Sequence, residues 1–403
     1  MRTFHVASGD EIKRGGTTDI YFVRTQKVLT AKGLATRHAH AEFTVGALPD
    51  GWPWAVFCGL EEIVTLLEGV PVDVAALPEG TIFPATDYYG VRVPVVTIAG
   101  PYGNYCAYET PALGLICQAT GVATKAARVR RAAGTAHLLA FGTRRMHPAI
   151  APLLDRASYV GGFDGVSGLS GARLLGIEPR GTMPHALIVA LGNAAAAWKA
   201  FDDVMPAKVP RVALVDTYAD EKADALAAAD LLGKALAGVR LDTPASRRGN
   251  FPEIIREVRW ELDLRGFTHV QIFVSGGLDE TMIPALAAAG ATGFGVGTAV
   301  ANAPTIDFAM DLVELDRRPC AKRGRFGGRK QAWRCTACGG SGYPAGGWVV
   351  RPIHETRVRC PACGRRTQGL LQPVLRRGRL VRTLPTPTQI RERVLKQLAH
   401  MTR

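Results

Sequence analysis

Seven polar motifs, each placed just after a short apolar segment, constrain the fold of this chain more than any other feature. They carry Gly, Arg, Asp or His, and helix-like stretches separate most of them. They cover residues 141–145, 161–165, 181–185, 216–218, 240–243, 275–278 and 295–298. Polar residues repeated at the carboxyl ends of successive strands are typical of the rim of a β/α barrel, where such folds carry out chemistry. The pattern therefore predicts an α/β fold with a functional site at that rim.

The spacing of apolar segments predicts about seven βα units rather than eight. The candidate strands are His137–Phe141, Ala157–Val160, Glu178–Thr182, Arg211–Val215, Val239–Leu241, Val270–Val274 and Gly293–Val296. The candidate helices, several of them rich in Ala, are Pro184–Ala200, Asp220–Leu236, Phe251–Leu264 and Asp279–Ala289. An incomplete, roughly seven-stranded β/α barrel follows from this count.

The chain changes character on both sides of this segment. Residues 54–100 mix short strands with one short helix, which indicates an α+β layer. A long helix is expected from Tyr105 to Arg131, and an amphipathic helix near the end, from Gln389 to Leu398, with Thr388 as its N-cap. We therefore expect an N-terminal domain (1–110), a barrel (111–300) and a basic C-terminal domain (301–403), parts of which could return to the first.

Two glycine motifs follow the last two predicted strands. Ser275-Gly276-Gly277 comes directly after one, and Gly295-Val296-Gly297 after the next. Glycines there let backbone N–H groups approach an anion, and a following helix would present its positive end. Loops after adjacent late strands form a recurrent phosphate site in barrels. The motifs predict a phosphate cup, with two ordinary tight turns as the alternative.

Charged residues end several of the earlier strands. Asp216 and Asp242 could each accept hydrogen bonds from a ribose diol or hold Mg²⁺, although a lone Asp at a strand end often caps a helix. Arg240 lies two residues before Asp242, so both side chains leave an extended strand on the same side. A buried charged pair requires a partner, and we favour a ligand over an internal ion pair.

Three further motifs supply candidate binding groups. Arg144 and Arg145 offer guanidinium groups suited to phosphate or carboxylate, with a solvated surface pair as the alternative. Phe141 could stack on an aromatic substrate, although a Phe there is also a common core residue. His185 begins a predicted helix at a strand's carboxyl end, where a structural role and a catalytic role are both open.

Four of the eight cysteines form two Cys-x-x-Cys pairs, Cys335/Cys338 and Cys360/Cys363. Each pair can donate two thiolates to one tetrahedral Zn²⁺, which predicts a structural zinc ribbon or knuckle; reduced free thiols are the alternative. The other cysteines are scattered and read as ordinary thiols. His354, between the pairs, is not expected to be a ligand.

The net charge of +14 is concentrated in the last quarter of the chain. Residues 301–403 hold 21 Lys and Arg against 6 Asp and Glu, whereas the first 300 residues are nearly balanced. Such a patch attracts polyanions or only keeps the surface solvated. No apolar run reaches the roughly 18 residues of a membrane span, and no signal peptide is visible, so a cytoplasmic protein is expected.

In combination, these motifs resemble one enzyme family. The elements FGTRR (141–145), GTMPH (181–185), RLDT (240–243), SGGL (275–278) and GVGT (295–298), with TDIY (18–21) near the start, are similar to nicotinate phosphoribosyltransferases of the type II phosphoribosyltransferases. The resemblance runs from about residue 8 to 320. The cysteine-bearing tail resembles the form in some archaeal-type members.

The resemblance implies a fold, a reaction and an assembly. It implies an α/β sandwich domain beside the incomplete barrel, and a homodimer in which Tyr21 of one subunit reaches its neighbour's barrel. The implied reaction joins nicotinate to phosphoribosyl pyrophosphate (PRPP), with Mg²⁺, to give nicotinate mononucleotide and pyrophosphate in NAD salvage. ATP is an implied possible co-substrate that phosphorylates His185.

The resemblance also assigns residues. Tyr21 and Phe141 would hold the pyridine ring, Arg144 and Arg240 would meet anionic groups, and Asp216 and Asp242 would hold ribose and Mg²⁺. Arg145, Thr182 and the two glycine motifs complete the predicted substrate site. Asp164 falls where a nicotinamide-using relative carries an Asp near the ring amide, which keeps nicotinamide open as a substrate. Quinolinate is less favoured, because its two carboxylates would ask for a larger basic cluster.

The sequence also leaves open a function of a different class. The basic, cysteine-bearing tail could make the chain a zinc-ribbon nucleic-acid-binding protein. Against this reading, Trp333 and Trp348 are the only tryptophans of the tail, so a strong aromatic stacking pattern is missing. We favour the enzyme, with small-molecule partners and without a membrane or nucleic acid partner.

Overall fold

The computed structural model describes residues 4–335, 337–338 and 347–401. Its helices are α1 (Gly9–Lys13), α2 (Ile20–Ala31), α3 (Leu60–Leu67), α4 (Tyr102–Tyr105), α5 (Glu109–Ala133), α6 (Ala151–Val160), α7 (Leu169–Leu175), α8 (His185–Leu191), α9 (Ala194–Val204), α10 (Glu221–Leu232), α11 (Phe251–Leu264), α12 (Ile283–Ala288), α13 (Thr298–Ala301) and α14 (Pro387–Ala399). Within these ranges, no helix has both the length and the apolar character to cross a membrane.

The strands alternate with these helices. They are β1 (His38–Val45), β2 (Ala55–Val56), β3 (Asp73–Ala76), β4 (Ile82–Phe83), β5 (Val96–Pro101), β6 (His137–Ala140), β7 (Gly165–Val166), β8 (Arg211–Val215), β9 (Leu236–Leu241), β10 (Gln271–Ser275), β11 (Gly293–Val296), β12 (Phe308–Leu315), β13 (Arg318–Pro319), β14 (Lys330–Cys335), β15 (Gly347–Pro352), β16 (Gln368–Gly369), β17 (Gln372–Arg376) and β18 (Arg379–Leu380). Contacts divide the chain into two units: residues 1–124 with 303–403, and residues 125–302.

The first unit is built on an antiparallel sheet of seven strands, in the order β13-β12-β1-β5-β3-β17-β18. Strand β1 lies between β12 and β5, and its apolar residues Ala39, Ala41, Phe43 and Val45 alternate with polar residues. The polar positions are buried too: Glu42 accepts a hydrogen bond from Lys330 at the start of β14, with 2.9 Å between Nζ and Oε2. The C-terminal segment thus returns to the N-terminal sheet and neutralises a buried carboxylate there.

The last helix, α14, begins two residues earlier than the sequence suggested. The predicted N-cap, Thr388, lies inside the helix, and the N-cap is Thr386. Its hydroxyl accepts from Gln389 N (3.3 Å), while the Gln389 side chain accepts from Thr386 N (2.9 Å). This capping box, with Pro387 in the first turn, satisfies two backbone donors and fixes the helix start. The apolar face buries Ile390, Val394 and Leu398.

The second unit contains a parallel sheet of six strands in the order β7-β6-β11-β10-β9-β8. All five neighbouring pairs are parallel. Apolar side chains such as Val239, Ile272 and Phe294 are fully buried within it. In a parallel sheet all carboxyl ends meet at one edge, so the residues that follow the strands converge there.

Two predicted strands are absent from the described part of this unit. Residues 157–160 form the end of α6, and residues 178–182 have no regular structure. The single strand found between them is β7, only two residues long, so the sheet has six strands instead of about seven. The long predicted helix 184–200 is two helices, because Gly192 ends α8 and the Asn193 side chain caps α9 through Ala196 N (2.8 Å).

Candidate active site

A cavity of about 990 Å³ opens at the carboxyl edge of the parallel sheet. Twelve of the predicted site residues line it: Phe141, Arg144, Arg145, Thr182, His185, Arg240, Asp242, Ser275, Gly276, Gly277, Gly295 and Gly297. They come from the carboxyl ends of β9, β10 and β11, from the loops after these strands and after β6, and from the segment that leads into α8, whose first residue is His185. Arg180, which the sequence analysis did not single out, lines the same cavity.

Asp216 lies behind the cavity wall and holds one of the loops that form it. Its Oδ2 accepts from the Asp242 backbone N (2.7 Å) and from the Thr243 hydroxyl (2.8 Å). Its own backbone has a positive φ of 71° and donates to Asp224. Oδ1 has no hydrogen-bond partner among the described residues. Burial raises the pKa of this carboxyl to about 6, so a cation or donor arriving at Oδ1 would favour its ionised form.

Arg240 and Asp242 point into the cavity from the end of β9. Arg240 Nη1 donates to the Thr182 hydroxyl (2.5 Å), and Nη2 lies 3.5 Å from Asp242 Oδ2. Burial lowers the pKa of Arg240, and its Nε has no partner among the described residues. The internal ion pair that the sequence left open therefore forms, and the buried Nε is a donor that a ligand would satisfy.

The Asp242 carboxylate lies within 3.5 Å of polar atoms of three other predicted site residues: Ser275, His185 and Arg240. Its Oδ1 accepts from the Ser275 hydroxyl at 2.7 Å. Its Oδ2 lies 3.5 Å from His185 Nε2 as well as near Arg240. The carboxylate thus joins the loop after β9 to the loop after β10, and one oxygen faces two groups that carry or can carry positive charge.

His185 is the first residue of α8, and its imidazole lies between two carboxylates. Nδ1 is 2.8 Å from the Thr217 hydroxyl, which fixes the ring orientation. Nε2 is 3.5 Å from Asp242 Oδ2 and 3.8 Å from Asp216 Oδ1. This arrangement places Nε2 at the cavity wall, where it faces both carboxylates.

The glycines of the two late loops are required by geometry. Gly276 and Gly277 have φ values of 93° and 65°, which only glycine adopts without strain. At Gly295 a Cβ would lie 2.3 Å from the Phe141 ring. The helix that was expected to follow Gly276 directly does not do so, because α12 begins only at Ile283. The backbone N–H groups of Thr281 and Met282, just before this helix, donate to Asp279. Backbone N–H groups of the loop itself are the available anion donors.

The structure does not bring Asp164 into this cavity. Its Oδ2 accepts from Leu138 N (2.9 Å) and from Arg130 Nη2, at the amino end of β6. It lines an adjoining cavity of about 470 Å³ that shares Phe141, Arg180, Thr182, Arg240 and Gly295 with the first cavity and extends to the amino ends of the strands. Because β7 is two residues long, the residue at its carboxyl end is Ser167, which lines the 990 Å³ cavity and donates to Ala140 O (2.9 Å).

Sequence reasoning missed several residues that support the site. Thr217 orients His185, Thr243 contacts Asp216, and Arg248 donates to backbone carbonyls of two loops. Thr217 and Thr243 lie inside motifs that were recognised, so their position was a usable signal. Arg248 lies six residues past Asp242, and nothing in its local sequence indicates its long-range contacts.

Tyr21 belongs to the first unit, on the exposed side of α2. Its side chain is 55% exposed, and its hydroxyl lies 3.3 Å from Asp19 Oδ2, which also accepts from the Thr110 hydroxyl at 2.8 Å. An exposed aromatic ring next to exposed Ile20 and Val28 makes an apolar surface on this helix.

The four paired cysteines form one cluster in the first unit. The sulfur atoms of Cys335, Cys338, Cys360 and Cys363 all lie within 4.8 Å of one another. Three of these residues are buried, and Cys363 is exposed. Four thiolates at this separation suit a single tetrahedral metal ion. Residues 336 and 339–346 lie outside the described residues.

The chain matches two family models in consecutive order. Residues 19–120 match the N-terminal domain of quinolinate phosphoribosyl transferase, and residues 122–311 match its C-terminal domain. Together these ranges include Tyr21 and every predicted residue of the parallel-sheet cavity.

Two curated relatives are nicotinate phosphoribosyltransferases. A nicotinate phosphoribosyltransferase of Mycobacterium tuberculosis is 38% identical over 292 residues, which span 68% of this chain and 60% of that relative. A second one from the same organism is 31% identical over 91% of this chain and 87% of the relative. The first alignment thus covers less than two thirds of the relative's own length.

Solved structures agree in fold. A nicotinate-nucleotide pyrophosphorylase from Pyrococcus furiosus superposes with a TM-score of 0.93, at 48% identity over 99% of both chains. Human nicotinic acid phosphoribosyltransferase superposes with a TM-score of 0.74 at 22% identity, over 96% of this chain and 94% of that one, which supports the fold alone. The resemblance found in the sequence is confirmed: this chain belongs to the nicotinate phosphoribosyltransferase family of type II phosphoribosyltransferases.

Proposed function

We propose that this protein transfers a phosphoribosyl group from PRPP to nicotinate. The observation that carries the proposal is the meeting of Arg240, Asp242 and His185 with two glycine loops around one cavity. In the reaction, the pyridine nitrogen forms a bond to C1 of the ribose while the bond from C1 to the pyrophosphate oxygen breaks. The names of the M. tuberculosis and P. furiosus relatives support the same chemistry.

The residues around the cavity suit this displacement without a general base. A pyridine nitrogen is unprotonated near pH 7, so catalysis rests on positioning and on stabilising the leaving pyrophosphate. We assign the phosphates to the loops at Gly276–Gly277 and Gly295–Gly297, the ribose to Asp242, and the pyrophosphate charge to Arg240 with Arg144 and Arg145.

Mg²⁺ carried by PRPP would be held at Asp242, with the unpartnered Oδ1 of Asp216 behind it. Hard carboxylate oxygens fit this ion, which would neutralise charge on the pyrophosphate. ATP as a co-substrate, with phosphorylation of His185, remains part of the proposal, and Nε2 of that histidine is the atom that faces the two carboxylates.

The pyridine site favours nicotinate over nicotinamide. Asp164, whose carboxylate would repel nicotinate, is engaged by Arg130 and Leu138 N. The cavity wall at the end of β7 carries the neutral Ser167, beside Phe141 and Arg180. A hydroxyl and arginines suit a carboxylate. Quinolinate remains the alternative, because Arg144, Arg145, Arg180 and Arg240 all line the cavity.

The proposal is tested by incubating the purified protein with PRPP, Mg²⁺ and one of three pyridines, with and without ATP. Nicotinate mononucleotide and pyrophosphate are expected from nicotinate. A mononucleotide formed only from nicotinamide, or only from quinolinate with release of CO₂, would select the corresponding alternative. No nucleotide from any of the three would contradict the assignment of the cavity.

Ser167→Asp is expected to weaken nicotinate binding at least tenfold, seen as a higher KM for nicotinate with an unchanged KM for PRPP. The new carboxylate would face the substrate's carboxylate in a partly buried cavity, where like charges repel strongly. Ser170→Asp is the matched control, because Ser170 is exposed and lies three residues further along the chain, in α7. If both variants had the same kinetics, the assignment of the pyridine ring to the end of β7 would be wrong.

We also propose a homodimer, or a larger assembly of such dimers, in which Tyr21 of one copy covers the pyridine ring in its neighbour. The exposed Tyr21, Ile20 and Val28 on α2 support it. The parallel sheet with β7 and β8 at its edges would then be an incomplete barrel closed by the second copy. The division into residues 1–110, 111–300 and 301–403 stays a prediction.

The cysteine cluster is proposed to hold structural Zn²⁺ in a zinc ribbon or knuckle. The fit rests on four thiolates within 4.8 Å, without a fifth ligand group in the cluster found among the described residues. A complete set of protein ligands leaves no position for substrate, so the ion would stabilise the fold rather than take part in the reaction.

A nucleic-acid-binding role for the tail is the weaker candidate. Several of its cations are engaged by carboxylates of the same unit: Lys330 with Glu42, Lys322 and Arg325 with Asp311, and Arg376 with Asp73. These ion pairs neutralise part of the tail's positive charge within the same unit. Salt-dependent binding of DNA or RNA that is lost when residues 320–403 are removed would support this candidate.

A further inference from the structure

We infer that Arg248 is a positioning residue that fixes the peptide groups of the phosphate-binding loop. This step rests on the proposed function, and it concerns a residue that does not line the cavity. The side chain is buried, with 8% of the residue exposed. Its guanidinium connects the loop that carries the predicted catalytic residue Asp242 with the loop that carries the predicted phosphate-binding glycines Gly276 and Gly277.

One end of the connection is the loop after β9. Arg248 Nε donates to the backbone oxygen of Thr243 at 2.7 Å. Thr243 is held from its other side by Asp216, through the threonine hydroxyl. The residue next to Asp242 is therefore fixed at both its side chain and its carbonyl.

The other end is the loop after β10. Arg248 Nη2 donates to Ser275 O at 3.3 Å and to Gly276 O. In a planar trans peptide the C=O and the following N–H point in opposite directions. Because the carbonyls of Ser275 and Gly276 turn toward the guanidinium, the N–H groups of Gly276 and Gly277 turn away from it. Both glycines line the cavity, so these donors are available to an anion there.

These hydrogen bonds also explain why the planar, branched guanidinium group of an arginine is needed at this position. Three carbonyl oxygens in two loops are reached from two nitrogens of one planar group, which a single ammonium cannot reproduce. The Phe251 ring packs 5.1 Å from the guanidinium carbon and limits its movement. The φ values of 93° and 65° at the two glycines set the direction of these N–H groups, and the contacts of Arg248 with the carbonyls hold that direction.

The test compares Arg248→Ala, Arg248→Lys and the control Arg247→Ala, which removes the same charge from an exposed neighbour. Binding of Mg²⁺-pyrophosphate is measured by calorimetry, and KM values for PRPP and nicotinate by initial rates. We expect about tenfold weaker pyrophosphate binding and a tenfold higher KM for PRPP in both Arg248 variants, with the KM for nicotinate unchanged. Arg247→Ala should resemble the wild type.

Three results would overturn the inference. They are unchanged pyrophosphate affinity in Arg248→Ala, full recovery in Arg248→Lys, and equal losses for both substrates. The lysine variant keeps a charge in the buried position, so it provides the comparison if the alanine variant does not fold. Because pyrophosphate binding needs no nicotinate turnover, a wild type that binds pyrophosphate but does not use nicotinate would count against the proposed substrate and not against Arg248.

Discussion

Asp242→Asn is expected to lower kcat/KM about 1,000-fold while leaving the melting temperature within a few degrees of the wild type. The substitution keeps an oxygen for the Ser275 hydroxyl but removes the negative charge that faces Arg240 and His185. That charge is the one assigned to the ribose and Mg²⁺. Initial rates with PRPP and nicotinate, and thermal unfolding of the same samples, measure both effects.

The control for Asp242 is Asp230→Asn, on the exposed side of α10. It changes the net charge equally and should retain wild-type kinetics. An Asp242→Asn variant with more than about a tenth of the wild-type kcat/KM would show that this carboxylate contributes little to the transition state, and the assignment of the cavity would fail with it.

Cys360→Ser is expected to release the metal and to destabilise the first unit by several kcal/mol, which lowers its melting temperature by about 10 °C or more. Cys360 is buried, and its sulfur lies 3.3 Å from that of Cys338. A lost thiolate leaves three ligands and weakens tetrahedral binding. Metal content by mass spectrometry should fall from one zinc per chain, and a chelator should destabilise the wild type in the same way.

Cys320→Ser is the matched control for the cluster, because Cys320 is exposed and is not part of it. It should keep both the metal and the melting temperature. A wild type purified without a bound metal, or a Cys360→Ser variant as stable as Cys320→Ser, would contradict a structural metal ion in this unit.

The rim of the parallel sheet was predictable because the chemistry-bearing residues follow strongly apolar strands. Residues 211–215 and 293–296 form strands with the predicted bounds, and residues 251–264 form the predicted helix. In such segments the periodicity and the flanking turn residues agree. The parallel arrangement then brings Arg240, Asp242 and the glycine motifs to one edge.

The errors fall where local signals are ambiguous. A four-residue apolar run such as 157–160 cannot be distinguished from the end of a buried helix by periodicity alone, and it is the end of α6. Pro179 interrupts the segment predicted as the next strand. Gly192 and Asn193, a stop and a start signal for helices, were present in the sequence and divide α8 from α9.

The placement of Asp164 and the contacts of Arg248 depend on tertiary structure. Asp164 precedes β7 rather than following it, and a strand of two residues gives too little pattern to fix which end a motif occupies. The carbonyls that Arg248 reaches lie up to 28 residues away along the chain, in a loop whose position is set by sheet order. No local pattern encodes either fact.

A crystal structure of the protein with nicotinate mononucleotide and Mg²⁺ tests the central claim most directly. We expect the nucleotide phosphate at the N–H groups of Gly276–Gly277 and Gly295–Gly297, the ribose hydroxyls at Asp242, and the pyridine ring on Phe141. A nucleotide bound away from the carboxyl edge of the parallel sheet, with none of these residues in contact, would contradict it.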